Sequence, residues 1–455
     1  MANTMIKVDK NTRTIIAAIL LLADFISLAS QTMIVTALPI VQQDLHIPLT
    51  AAQWLTTGYT LILGLTIPLF STIYDKYTDR GIYLSTVGMF IIGTVIGCVA
   101  TNFFWLLLAR LTQAAAGGIL MSLQMTTMIS IYPIEKRGTV LGVTSLIIST
   151  APAIGPTLAG FILEYLSWHW LFIIVLPFMV LCWIIGYFKL ANYSSTNDVR
   201  FDYLSIITVL AGTGLTLGSL TVFESSIVTG VIMLIVGIGF LWWFVHRQLN
   251  LKTPMLKITI FKYPSFRLMT IVCLLAFMIM LGTEQVYPIF TEKVLHTGSL
   301  VSGLVLLPGA LANGIVAYFA GRLYDQYGLK WLMIIGSALI TLANIPLLFI
   351  SSKTSLLQLT IIYIIRLTGN ALIFSPALSE AFSHLSLEEN SHGTSLNNTV
   401  RQVCGSASVT LMVVITAAPG NIVLGARYAF MATLIMTILM IITFARYQKL
   451  KRSGN

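Results

Sequence analysis

Apolar stretches of about 20 residues recur from one end of the chain to the other, separated by short polar breaks. A helix needs about 20 apolar residues to cross a bilayer. The stretches are continuous and lack the period-two alternation of barrel strands, so they read as helices whose amides are bonded internally. The pattern predicts fourteen spans, at 14–38, 51–74, 82–101, 103–131, 138–163, 168–190, 203–222, 227–247, 266–291, 299–321, 330–351, 354–378, 394–418 and 424–446.

Composition agrees with lipid as the solvent. Hydrophobic types make up 57% of the 455 residues, charged types only 9%, and mean hydropathy is +0.89. Soluble domains carry about 25% charged residues. These values exclude a cytosolic enzyme, a disordered chain and a nucleic-acid binder. Fourteen helices use roughly 300 residues, which leaves no room for a soluble catalytic module. Neither a P-loop nor a G-x-S-x-G or H-E-x-x-H motif occurs, so no cofactor, metal or enzymatic chemistry is expected. The first apolar run has the length of a full span and no A-x-A-like site, so a span is expected there and not a cleaved leader.

The net charge of +10 is a matter of topology. With the N-terminus inside, twenty Lys/Arg fall on cytoplasmic tails and loops, among them Lys7, Arg200 and Lys252; Lys293, Lys353 and Arg427 fall outside. The positive-inside rule then puts both termini in the cytoplasm. The basic segment 248–267 is expected to lie on the anionic inner membrane surface. Cys98, Cys182, Cys273 and Cys404 sit in apolar runs without a CxxC pair and read as small hydrophobes. The six histidines fall at span ends or in loops, and solvated or interfacial roles are expected for them, as are solvated roles for Glu164, Glu224 and Glu380.

The chain also echoes itself. Asp75 in STIYDKYTDRG matches Asp325 in GRLYDQYGLKW, and Arg110 in ARLTQAAAGG matches Arg366 in IRLTGNALIF. Repeated halves with a substrate site between them are a common transporter plan. The predicted organisation is a six-helix bundle at 1–191, two inserted helices at 192–248, a cytoplasmic linker at 249–265 and a second six-helix bundle at 266–455.

The chain resembles the major facilitator superfamily, and within it the fourteen-span drug:proton antiporters. The resemblance rests on TMIVTALPI, QWLTTGYTLILGLTIPL, the Asp75 loop, the Arg110 motif, APAIGPTLAG, SWHWLFIIVLP, PMLKITIF, YPIFTEKVLHTGSLVSGLVLLP and SLNNTVRQVCG, in order along nearly the whole chain. It implies an all-α membrane protein of the major facilitator fold that exchanges hydrophobic or cationic organic compounds for protons across the cell membrane, as a monomer. It also implies that Arg110 takes part in proton relay, and that APAIGPTLAG, with Gly155 and Pro156, favours antiport. One departure stands out: the family's acid nine residues before the Pro of the first span is Ser30 here.

Few residues can then carry the chemistry. Asp24 and Glu284 are the carboxylates well inside spans, and an ionisable group there is costly enough to suggest function. Asp24 is a candidate proton-coupling group with Arg110 as its natural partner. Glu284 is a candidate second coupling group or anchor for a cationic substrate. Tyr59, Gln124 and Tyr287 are candidate cavity residues, and Arg366 and Arg401 are further buried cations. Asp75, Arg80, Gly321, Asp325 and Lys330 are candidate gate elements, with Gly155 and Pro156 as a bend that admits a close neighbour. Two other readings fit the residues: a dedicated exporter of one metabolite or peptide, and a transport-inactive membrane sensor or scaffold.

Overall fold

The computed structural model describes residues 10–190, 192, 202–222, 226–251 and 254–453. Lys7, Arg200, Lys252 and Glu224 lie outside the described residues.

The chain is an all-α, multi-pass membrane protein. Its apolar helices are α1 (Lys10–Asp44), α2 (Ala51–Lys76), α3 (Asp79–Cys98), α4 (Phe103–Ile131), α5 (Arg137–Tyr165), α6 (Trp170–Lys189) and α7 (Tyr203–Val222). They continue with α8 (Ile227–Asn250), α9 (Pro264–Lys293), α10 (Ser299–Tyr327), α11 (Leu329–Leu347), α12 (Leu356–Ala381), α13 (Leu387–Ala417) and α14 (Ile422–Ser453). Among the described residues, thirteen are long and apolar enough to cross a bilayer, and the apolar part of α7, Tyr203–Ser219, is shorter. Helix ends run past the apolar runs. The largest differences are at α13, which starts at Leu387 where hydropathy places the span at 394, and at α14, which ends at Ser453 where it places the end at 446. Within the α13 extension Asn390, Ser391 and His392 are buried, so the helix continues there under the cover of protein while Glu388 stays exposed.

Local sequence explains the ends and bends. The Thr78 hydroxyl accepts the Gly81 amide at 3.2 Å and starts α3. Ser226 and Ser355 do the same for α8 and α12. Pro152 and Pro156 lie inside α5 without ending it, whereas Pro68 coincides with a tight 3-10 turn, Ile67–Leu69, within α2. Gly328 ends α10 with φ of 70°, a backbone that suits glycine.

Two compact units make up the chain. The first comprises Met1–Ile131, Ala151–Thr259 and Ser386–Thr399; the second comprises Tyr132–Thr150, Ile260–Leu385 and Val400–Asn455. Within the first, α4 packs on α1, α2 and α3, and the inserted pair α7 and α8 pack on each other, with α7 also on α2. Within the second, α12 packs on α9, α10 and α11, and α14 packs on α9 and α11.

The echo in the sequence is also an echo in backbone. Pro39 in α1 and Pro288 in α9 are both internal prolines. After these helices come His46 and His296, the two non-glycine residues with positive φ among those described, at 52° and 54°.

The linker is partly taken up by the protein. Met255, Leu256 and Ile260 are buried in protein. The Ser71 hydroxyl donates to the Met255 carbonyl at 3.0 Å, and the Leu256 amide donates to Gln248 at 3.1 Å. Through these two bonds the backbone at Met255 and Leu256 is tied to α2 and α8.

Candidate functional site

In the first unit, α1, α2 and α4 assemble a polar cluster inside apolar surroundings. Arg110 of α4 is 1% exposed. Its guanidinium donates to the Ser30 carbonyl (3.2 Å), the Ser30 hydroxyl (3.4 Å), the Gln31 carbonyl (3.3 Å), the Leu55 carbonyl (3.4 Å) and Gln113 Oε1 (2.9 Å). Its Cζ lies 4.3 Å from the centre of the Tyr59 ring, a cation–π contact worth about 0.5–2 kcal/mol. Gln113 is held in turn by donating to Thr94 at 2.9 Å.

This arrangement corrects the pairing expected from sequence. Arg110 addresses Ser30 and backbone carbonyls of α1, not Asp24. Six residues separate Asp24 from Ser30, a rotation of about 240° net and a rise of about 9 Å, so one guanidinium does not serve both. Asp24, 1% exposed, instead lies within electrostatic range of Tyr59. The Tyr59 hydroxyl is 3.5 Å from the Ser27 carbonyl, to which it donates. Tyr59 therefore connects the two charges, with its ring under Arg110 and its hydroxyl one helical turn from Asp24. Gly117 makes this close approach possible: a Cβ there would lie 2.8 Å from Ser27 Oγ and 3.2 Å from the Tyr59 hydroxyl. Gln124, further along α4, is fully buried.

The second unit holds the matching arginine. Arg366 of α12 donates to the Ile279 carbonyl of α9 at 3.5 Å. Ile279 stands nine residues before Pro288, as Ser30 stands nine before Pro39, so each arginine grips the first helix of its own half at the same place. Arg366 lies 5.9 Å from the Phe430 ring and within electrostatic range of Tyr287 and Tyr363. Tyr287 packs edge-on against Tyr363 at 4.8 Å and Phe430 at 5.7 Å. Glu284, one turn before Tyr287 on α9, is only partly covered and lies within electrostatic range of Tyr363. Arg401 lies beside the stacked rings of Phe277 (5.1 Å) and Phe374 (5.7 Å). Tyr59 and Tyr287 are 0% and 2% exposed, so both rings are packed between helices in this conformation.

The expected gate residues have defined partners. Asp325 of α10 accepts the Gly138 amide (2.9 Å), the Thr139 amide (2.8 Å) and the Thr139 hydroxyl (2.7 Å), so it caps the N-terminus of α5. Gly321 permits this: a Cβ there would collide with the Gly138 carbonyl. Asp75 Oδ2 lies 3.3 Å from Nε2 of His392 in α13. Arg80 donates to the Tyr187 carbonyl at 2.7 Å and covers the Tyr187 ring. Lys330 is exposed, 5.5 Å from the Trp331 ring. Gly155 packs on α1, where a Cβ would lie 2.6 Å from the Ala29 carbonyl and collide with Thr32, and Pro156 follows it. Gly160, one turn further along α5, has nothing within 4 Å of its would-be Cβ.

Two acid–base groups correct the sequence reading. His392 is 1% exposed, not interfacial. Glu380 is 6% exposed, not solvated. It accepts from Tyr324 (2.6 Å), Tyr447 and Lys451 (2.8 Å). Both sit in polar stretches that read as loops, and no hydropathy signal could have placed them inside.

The N-terminal part of α13 is the most polar buried stretch. Ten side-chain polar atoms between residues 390 and 399 are buried without a protein partner, including both amide atoms of Asn390 and of Asn397. Each such group costs about 1–3 kcal/mol, and a whole protein retains only about 5–15 kcal/mol of stability.

Comparison with known proteins agrees with the fold. Residues 20–409 match the model of the Major Facilitator Superfamily. The chain is 38% identical to the uncharacterized MFS-type transporter YcnB of Bacillus subtilis over 417 residues, covering 90% of this chain and 88% of that one. It is 35% identical over 446 residues to the lincomycin resistance protein LmrB of Bacillus subtilis, covering 93% of each. The human organic anion transporter MFSD10 (TETRAN) superposes with a TM-score of 0.68 at 13% identity, covering 95% of this chain and 99% of that one. With a helical architecture that matches in structure, and a family match across most of its length, the chain belongs to the major facilitator superfamily of membrane transporters.

Proposed function

We propose that the chain is a proton-coupled antiporter of the fourteen-span drug-exporting type. It moves hydrophobic or amphipathic, often cationic, compounds out across the cell membrane by alternating access, works as a monomer and keeps both termini in the cytoplasm. The observation that carries this reading is the Asp24–Tyr59–Arg110 cluster, a buried carboxylate and a buried cation that both act on one buried tyrosine. Protons and the organic compound are the partners of the cycle, and the lipid bilayer is the solvent.

In this scheme Asp24 takes a proton from outside and gives it up inside. Arg110, held on α1 through Ser30 and Gln31, registers the change through Tyr59. Glu284 is the second acid, and with Tyr59, Gln124 and Tyr287 it faces the transported compound when the helices part. Asp75, Arg80, Gly321, Asp325 and Lys330 hold helix ends in one conformation and release them in the other. Gly155 and Pro156 keep α5 against α1. The halves 1–191 and 266–455 rock about the site, and 192–248 is an insertion. One charge crossing 100 mV supplies about 2.3 kcal/mol, and one pH unit about 1.4 kcal/mol. One or two protons therefore support at least a hundredfold gradient.

The name of LmrB, a resistance protein, supports export of antibiotics among such compounds. The test is an efflux screen in cells against lincomycin and mono- and divalent cationic dyes, with Glu284→Gln beside the parent chain. The expected result is efflux by the parent and selective loss of divalent cations in the variant. A single transported compound in the whole panel would favour the dedicated exporter. No efflux despite intact folding would favour the sensor.

A further inference from the structure

We propose that the facing surfaces of α4 and the N-terminal part of α13 form a hydrogen-bonding subsite for the uncharged polar portion of the transported compound, its amides and hydroxyls. This inference rests on the exporter reading and narrows its substrate class beyond apolar cations.

Placement comes first. Asn398 donates to the Ser122 hydroxyl at 3.4 Å, which sets α13 against α4 within the first unit. As fourth and thirteenth crossings, the two helices run in opposite directions. One turn beyond Ser122 on α4 comes Thr126. One and two turns back from Asn398 on α13 come Thr394, Ser395 and Ser391. All are buried, and the hydroxyls of Thr126, Ser391, Thr394 and Ser395 have no protein partner. Asn390 and Asn397, both 0% exposed, add two complete amides with neither atom bonded.

Chemistry then selects the ligand. These six side chains are uncharged and supply both donors and acceptors. They suit a solute that brings matching donors and acceptors, and offer nothing to an apolar ring. Were the stretch merely packing, apolar residues of the same size would serve better, since they leave no buried polar atom unmatched. A site built to bond amides and hydroxyls discriminates strongly against compounds that lack them. His392, paired with Asp75, closes one end of the strip.

The test uses the full chain in proteoliposomes with two probes, chloramphenicol (an amide with two hydroxyls) and ethidium (a planar cation with neither). Asn397→Leu is expected to raise KM for chloramphenicol about tenfold with kcat kept, to change ethidium transport less than twofold, and to be largely rescued by Asn397→Gln. Thr126→Val should act in the same direction. Equal losses for both compounds would make the strip a water-lined or structural element and overturn the inference while leaving the exporter reading in place. An unchanged KM for chloramphenicol would overturn it too. Transport of neither probe by the parent chain would contradict the exporter reading, and the subsite would fall with it.

Discussion

Arg110 reaches both the carbonyl and the hydroxyl of Ser30, at 3.2 and 3.4 Å. The position where related antiporters are expected to carry an acid is thus the one the buried guanidinium addresses. A carboxylate there would neutralise Arg110 directly. Serine leaves the cation balanced by carbonyl dipoles and by the Tyr59 ring, and leaves Asp24 as the acid of the cluster.

The first prediction follows from that geometry. Ser30→Asp in an Asp24→Asn background should recover part of substrate-driven proton movement, because the new carboxylate meets Arg110 in a buried site. Arg110→Lys should abolish transport in either background, since an ammonium cannot span Ser30, Gln31 and Leu55 at once. Proton flux in reconstituted vesicles reads both.

Glycines on α5 divide by what they face. Gly155→Val should destabilise strongly or prevent folding, because the side chain has to displace the Ala29 carbonyl and Thr32. Gly160→Ala should be tolerated and should stabilise by about 0.5–1 kcal/mol, the helical preference for alanine where nothing is in the way. Thermal unfolding in detergent separates the two.

Asp325 satisfies two amides and a hydroxyl at the start of α5. Asp325→Ala should cost about 0.5–2 kcal/mol, the usual loss for removing a helix cap. Thr139→Val should cost less, since the two backbone bonds remain. Transport is expected to fall more than stability does in Asp325→Ala, and a comparison of melting temperature with transport rate checks it.

Beside the inserted helices, Asp202 accepts Arg247 at 3.0 Å and the Ser205 hydroxyl at 2.6 Å. Burial alone would push its carboxyl up, but the bonds to Arg247 and Ser205 outweigh it and hold it below the ordinary carboxylate range. A lowered folded-state pKa gives stability that is present above the unfolded value, about 3.9. That stability is lost as pH falls through the folded value. Wild type should therefore melt above Asp202→Asn at pH 7, and the gap should close on acidification toward pH 3. A gap independent of pH would contradict the pairing.

The spans and the internal repeat were legible in the sequence because both are written in long apolar runs and in spaced Asp, Arg and Pro residues. The repeat even extends to His46 and His296, whose shared Leu-His was visible but carried no meaning until both proved left-handed. Partners were less legible. Arg110 was expected to meet Asp24 because opposite charges attract, yet the helical phase puts Ser30 in its path. His392 and Glu380 looked solvated because their neighbours are polar. Hydropathy reports average transfer to lipid, and it is blind to a polar helix covered by other helices of the same protein.

The central claim is that Asp24 carries the coupled proton. Everted vesicles energised to an acidic interior should release protons when a transported compound is added, and Asp24→Asn vesicles with the same amount of folded protein should release none. Equal proton release from the wild type and Asp24→Asn would contradict the account.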